Sequence, residues 1–309
     1  MADFNTTFII SLVVIATGYL LKRARIVDEN GGGKALAGMI FYVTLPAVII
    51  RALTTVTIDP DMIAMPLIVP LVAGITIPVV LLVHRKEAVK TDRGLFLMMS
   101  LGFNVGNFGF PLIHGIFGDE GIKYAAMFDI GNAVVIFCVC YVIAVLYSAK
   151  EGQRVQPRIV ARKVFTSPPL LAYLVGLVMN AAGAGLPVVA SDIVDVIAQS
   201  NHFVTYFVLG VYLNFHIETR YWKAMFKVLG IRYIVGIGLG VSFFLFLPIG
   251  EVARTVLLVC LLLPVGMALL IFVVEYGYNE RFAGMLSNFN IVISFALIWL
   301  VLFILNLQA

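Results

Sequence analysis

Apolar residues run along this chain in blocks of about twenty, separated by short polar connections, and each block is near the length an α-helix needs to cross a bilayer. The pattern predicts ten spans, at about Phe4–Leu21, Lys34–Leu53, Met62–Val83, Arg93–Phe117, Tyr124–Tyr147, Pro168–Ala182, Val189–Leu213, Val228–Leu247, Val252–Val274 and Asn288–Leu307. The sixth is short and opens with Pro168 and Pro169, which suits a helix start, where a missing amide hydrogen costs nothing. Two spans carry interior interruptions, the fourth at Asn107-Phe108-Gly109-Phe110-Pro111 and the ninth at Leu263-Pro264-Val265-Gly266. A pair of interrupted spans in corresponding halves of a membrane chain points to a central transport site.

The longest connection, Ser148–Ser167, divides the chain into residues 1–147 and 168–309, each with five spans. Five is odd, so the second set is expected to run inverted. An internal comparison aligns Phe117-Gly118 with Tyr276-Gly277, 159 positions later, and pairs Asn107 with Gly266 and Asp129 with Asn288. The expected fold is an all-α polytopic membrane protein of ten transmembrane helices in two inverted five-helix repeats.

Composition supports a membrane solvent: 61% of residues are hydrophobic and only 12% charged, well outside the balance of a soluble domain. Mean hydropathy is +1.04. The net charge of +4 comes in short clusters between apolar runs, which fits membrane orientation and not nucleic-acid binding. With the N-terminus outside, eighteen basic residues, including Lys34, Arg85, Lys150, Arg154, Arg220, Lys227, Arg232 and Arg281, fall on the cytoplasmic side, against Arg51, Lys123 and Arg254 opposite. Ten spans return the C-terminus outside as well, in a plasma membrane, as in the bacterial inner membrane. The opening residues lack a basic cluster and a cleavage site, so the first span is expected to be retained.

Chemistry concentrates at the interruptions. Pro111 lacks an amide hydrogen and neighbouring glycines ease unwinding, so the fourth span would expose main-chain groups that need protein, water or ligand as partners. Asn104, Asn107, Gly109 and Pro111 are the candidate binding residues there, with Pro264, Gly266 and Asn288 in the second half. A proline kink packed through small residues is the competing reading. Partially positive helix amide ends at the interruptions could hold an anion without a buried arginine. Asp129, with Asn132 on the same helical face, is either a proton or ion-coupling group or a structural partner of the broken helices. Ser287, Asn290 and Ser294 add neutral polarity in the tenth span. Arg51 could attract an anion or reach the headgroups. His84, His114, His202 and His216 have no metal-ligand spacing, and Cys138, Cys140 and Cys260 read as core packing. Gly31-Gly32-Gly33-Lys34 lacks the spacing of a phosphate-binding loop, and Gly236, Gly238 and Gly240 suit helix packing. No cofactor, metal or catalytic constellation is expected.

The motifs Phe41-Tyr42-Val43-Thr44-Leu45-Pro46-Ala47, Asn107-Phe-Gly-Phe-Pro111-Leu-Ile followed by Phe117-Gly118, and Leu263-Pro264 leading to Glu275-Tyr276-Gly277 resemble the auxin efflux carrier family. That family includes plant auxin exporters and bacterial permeases described as malate or malonate transporters. The resemblance implies a fold of the NhaA and bile-acid-transporter kind, with helices 4 and 9 crossing at their breaks and a scaffold against which a transport unit moves. It carries the family's asparagine and proline onto Asn107 and Pro111 and its ninth-helix proline onto Pro264. It also implies a homodimer. The expected function is elevator-type secondary transport of a small organic anion, such as a carboxylate or an auxin-like acid. The alternatives are proton- or sodium-coupled uptake and a membrane sensor without turnover.

Overall fold

The computed structural model describes residues 4–55, 60–148, 155–213 and 219–305. Lys150, Arg154 and His216 lie outside the described residues. Among the described residues there is no strand. The helices are α1 (Phe4–Arg23), α2 (Lys34–Met39), α3 (Leu45–Thr55), α4 (Pro60–Val83), α5 (Lys90–Ser100), α6 (Phe110–Val134) and α7 (Tyr141–Leu146). They continue with α8 (Pro157–Phe165), α9 (Pro168–Ala181), α10 (Val188–Tyr212), α11 (Trp222–Phe246), α12 (Glu251–Leu261), α13 (Met267–Glu275) and α14 (Glu280–Ile304). Wider π-helical turns at Ile40–Thr44 and Val135–Cys140 join α2 to α3 and α6 to α7, and another at Val105–Gly109 leads into α6.

α4 illustrates the solvent this fold requires. Met62, Met65, Val69 and Val72 are buried, while Ile63, Leu67, Leu71 and Leu82 are exposed, so the helix is apolar all round. Its outer face needs lipid. Inside, α1, α3, α9 and α10 pack on one another, and α4, α6, α11 and α12 form a second group. α1 and α10 meet backbone to backbone: a Cβ on Gly18 would collide with the Phe207 carbonyl, and one on Gly210 with the Ile15 carbonyl. Only the absence of side chains permits that approach.

The structure corrects the fold expectation of ten transmembrane helices. Among the described residues, six helical stretches are long and apolar enough to cross a membrane: Asn5–Arg23, Gly31–Thr54, Pro60–Val83, Val105–Leu146, Thr219–Phe246 and Glu280–Ile304. The interruptions leave α5 and α12 at 11 residues and α13 at 9, about half a bilayer each or less. α9 has only 14 residues. α10 is long, but Asp192, Asp195, Gln199, Asn201 and His202 dilute its apolar character. The fourth and fifth expected spans meet in one 42-residue stretch, kinked at Gly118, where φ is +62°.

Neither two inverted five-helix repeats nor an NhaA-type crossing of broken helices 4 and 9 is what the structure displays. At the pair Asn107 and Gly266 the two halves differ in conformation, because Asn107 sits in a helical turn whereas Gly266 sits in a non-helical segment. The first interruption is also displaced. It falls at Leu101–Asn104, before the expected Asn107–Pro111. Pro111 lies just past the π turn Val105–Gly109, inside the helical stretch that begins at Val105, so it marks no break in the chain. The chain turns instead at Gly102, whose φ of +64° excludes most side chains. The second interruption falls at Leu263–Gly266, as the sequence predicts.

Candidate functional site

The two interruptions touch. The Asn104 amide donates to the Pro264 carbonyl at 2.8 Å, so each non-helical segment supplies a main-chain partner to the other. Each is also held by an asparagine from a later helix. The Asn132 side chain accepts from the Phe103 amide and donates to the Phe103 carbonyl, both at 2.8 Å, imitating a strand partner. Asn290 accepts from the Val265 amide at 2.6 Å, and its own position is fixed by Tyr233 and, through that hydroxyl, Ser294. Main-chain groups freed by the loss of helix are thereby satisfied inside an apolar core.

A cavity of about 1010 Å³ reaches from this point to the helix ends around Glu29, Lys34, Ser167, Glu280 and Arg281. Six of the nine candidate binding and coupling residues line it: Asn104, Asn107, Asp129, Asn132, Gly266 and Asn288. Gly109, Pro111 and Pro264 are buried away from it, where Pro264 contributes its carbonyl to Asn104. Asn104 is 4% exposed, and its side-chain Nδ2 has no hydrogen-bond partner. Asn107 Nδ2 reaches only the Met267 sulfur, at 3.3 Å, a weak acceptor. The deep end of the cavity therefore presents amide donors that nothing in the protein strongly engages.

Asp129 stands beside them in a chain of hydrogen bonds. Its Oδ1 accepts from Asn132 Nδ2 at 2.8 Å and its Oδ2 from the Tyr173 hydroxyl of α9 at 2.7 Å. Because Asn132 also holds Phe103, the carboxyl is connected to the first interruption through one side chain. Tyr173 was not legible as a site residue, since a tyrosine in an apolar helix has no pattern that distinguishes it from packing.

Two arginines behave differently from the sequence expectation. Arg232, assigned to the cytoplasmic charge cluster, is 3% exposed in α11 and contacts the carbonyls at both interruptions. Its position four residues inside the eighth apolar span was the available signal. Arg51 neither reaches for headgroups nor lies open to a ligand. Its Nη2 donates to His114 Nε2 at 2.7 Å and to Asp119 Oδ1 at 2.6 Å, and its Nε lies 3.8 Å from Asp195. This cluster ties α3 to α6 and α10 far from the cavity mouth. From Lys34 to Arg51 the helical stretch Gly31–Thr54 runs about 25 Å.

Among the described residues no group of three His, Cys, Asp or Glu side chains is placed to hold a metal ion, and the three cysteines are free. The chain is similar to a protein described as an uncharacterized transporter of Methanothermobacter thermautotrophicus, at 26% identity over 240 residues that cover 76% of each. Residues 4–304 match the model of a family described as membrane transport protein. Lipid-facing helices, a cavity ending between two interrupted helices and this match over nearly the whole length lead to one conclusion: the chain belongs to the membrane transport protein family, as a multi-pass transporter.

Proposed function

We propose that this transporter is a secondary carrier of a small organic anion, of the auxin efflux carrier kind, and that the anion binds at the deep end of the cavity between the two interruptions. The observation that carries this reading is the side-chain amide of Asn104, buried, unpartnered and on the cavity wall. A buried donor without a partner costs about 1–3 kcal/mol, and a carboxylate would recover that cost. The first-turn amides of the helices beginning at Val105 and Met267 lack intrahelical partners and add positive partial charge at the same place. The wide cavity accommodates either a dicarboxylate or a larger auxin-like acid.

Packing of the helices in two groups supports elevator-type alternating access, in which one group carries the site past the other. The basic residues near the cavity mouth, Lys34 and Arg281, favour a cytoplasmic opening with both termini outside. Initial rates for radiolabelled malate, malonate, succinate and indole-3-acetate in proteoliposomes, under imposed proton and voltage gradients, test the reading. Saturable flux that falls in Asn107→Ala supports it; an unchanged concentration dependence in that variant removes Asn107 from the site.

Proton coupling is favoured by one specific feature. An ionised Asp129 would repel an anion in the same cavity, and a proton taken up with the substrate relieves that repulsion. Asp129→Asn is then expected to transport with a flattened pH profile; a profile identical to the parent's, or one replaced by sodium dependence, removes the proton.

A further inference from the structure

Arg232 uses its guanidinium on four main-chain carbonyls. Nη1 donates to Ser100 and Leu101 at 3.4 and 3.3 Å, and Nη2 donates to Gly102 at 2.7 Å and Leu263 at 2.9 Å. The first three oxygens stand at the C-terminal end of α5 and the fourth just past that of α12. Helix C-termini carry partial negative charge and leave their last carbonyls without intrahelical partners. A single side chain from a third helix meets that deficit at both interruptions.

The arrangement also sorts polarity. The guanidinium lies over the Phe103 ring, 4.7 Å from its centre, and Phe103 lines the cavity whereas Arg232 does not. The carbonyl ends of α5 and α12 are thus turned to Arg232, while Asn104 and the first-turn residues of the following helices, Val105, Gly106, Asn107, Met267 and Ala268, line the cavity. The unpartnered Asn104 Nδ2 lies on that same side. A buried arginine without such acceptors would be costly.

We propose that Arg232 is a positioning residue that joins the two interruptions into one unit and gives the cavity its preference for anions, without touching the substrate. The preference for anions rests on the function proposed above; the joining does not. Removing the guanidinium leaves carbonyls on both segments without their donor, so both segments loosen together and negative ends are no longer neutralised beside the cavity.

The test uses the full chain in lipid nanodiscs and in proteoliposomes. Hydrogen–deuterium exchange is followed over 101–105 and 263–267 in the parent, Arg232→Met and Arg232→Lys. Arg232→Met is expected to speed exchange in both segments by about tenfold, with Arg232→Lys between the two because one ammonium cannot reproduce the fork. Unchanged protection, or loosening of one segment alone, overturns the joining role. Flux of radiolabelled malonate, malate, succinate and indole-3-acetate is measured alongside. Arg232→Lys, which keeps the charge but misplaces it, is expected to raise KM for a transported anion by about tenfold with kcat within about twofold, and Arg232→Met to lose saturation. A parent that moves none of these anions defeats the anion reading and the charge role with it, while exchange still decides the joining. Unaltered KM in Arg232→Met overturns the charge role alone. Should Arg232→Met fail to fold, parental KM and parental exchange in Arg232→Lys overturn the proposal.

Discussion

Asn104 and Asn132 are the same side chain in opposite situations. Asn132 satisfies both main-chain groups of Phe103 and reaches Asp129, whereas Asn104 Nδ2 has no partner. Their truncations should therefore diverge. Asn104→Ala removes an unpaired buried donor and is expected to leave thermal stability in detergent unchanged, or about 1 kcal/mol higher, while raising the KM of transport. Asn132→Ala strands an amide and a carbonyl, and is expected to cost about 2–4 kcal/mol in the same melt. A stabilised Asn132→Ala, or an Asn104→Ala with unaltered flux, contradicts the division of roles. Both asparagines were legible in the sequence, because an amide inside an apolar run must be either satisfied or used. Which fate each meets was not legible, since it depends on where Phe103 and Pro264 come to lie. Arg232 was hidden for a related reason. Its charge follows a basic cluster ending at Lys227, and the carbonyls it meets come from α5 and α12, far off in the chain.

Among the elements, the second interruption was read correctly and the first was misplaced by more than a turn. Leu263-Pro264-Val265-Gly266 leaves no alternative, because Pro264 cannot donate within α12 and no helix resumes before Met267. In the first half, proline looked like the break, yet Gly102 turns the chain and Pro111 lies inside the helical stretch that follows. Gly102→Ala would place a Cβ 2.9 Å from Ile136 as well as holding φ at +64°. The expected penalty is about 1–3 kcal/mol, read as a lowered melting temperature, and a neutral outcome would mean that the turn relaxes. The count of ten spans failed because hydropathy sums along sequence and does not register where helices end. Helix contacts were equally invisible. Gly210→Ala would press a methyl into the Ile15 carbonyl and is expected to destabilise the α1–α10 contact by about 2 kcal/mol or more in thermal unfolding.

For the whole molecule, the decisive property is that the cavity runs from the two interruptions to the helix ends around Glu29, Lys34, Glu280 and Arg281. Gly284 lines it, and a Cβ there would meet nothing within 4 Å, so Gly284→Cys should fold normally. A membrane-impermeant thiol reagent is expected to label that cysteine from the side bearing Lys34 and Arg281 and to leave it intact from the side bearing Arg51 and Asp119. Equal labelling from both sides would indicate a pore. The Arg51 cluster then acquires a kinetic meaning. In an alternating-access cycle, exposing the cavity at the far end requires pulling Arg51 away from His114 and Asp119, across the boundary between the two packed groups of helices. In such a cycle a clasp at that rim would favour the orientation with the mouth toward the side of Lys34, and cargo arriving from the opposite side would first have to find the clasp undone.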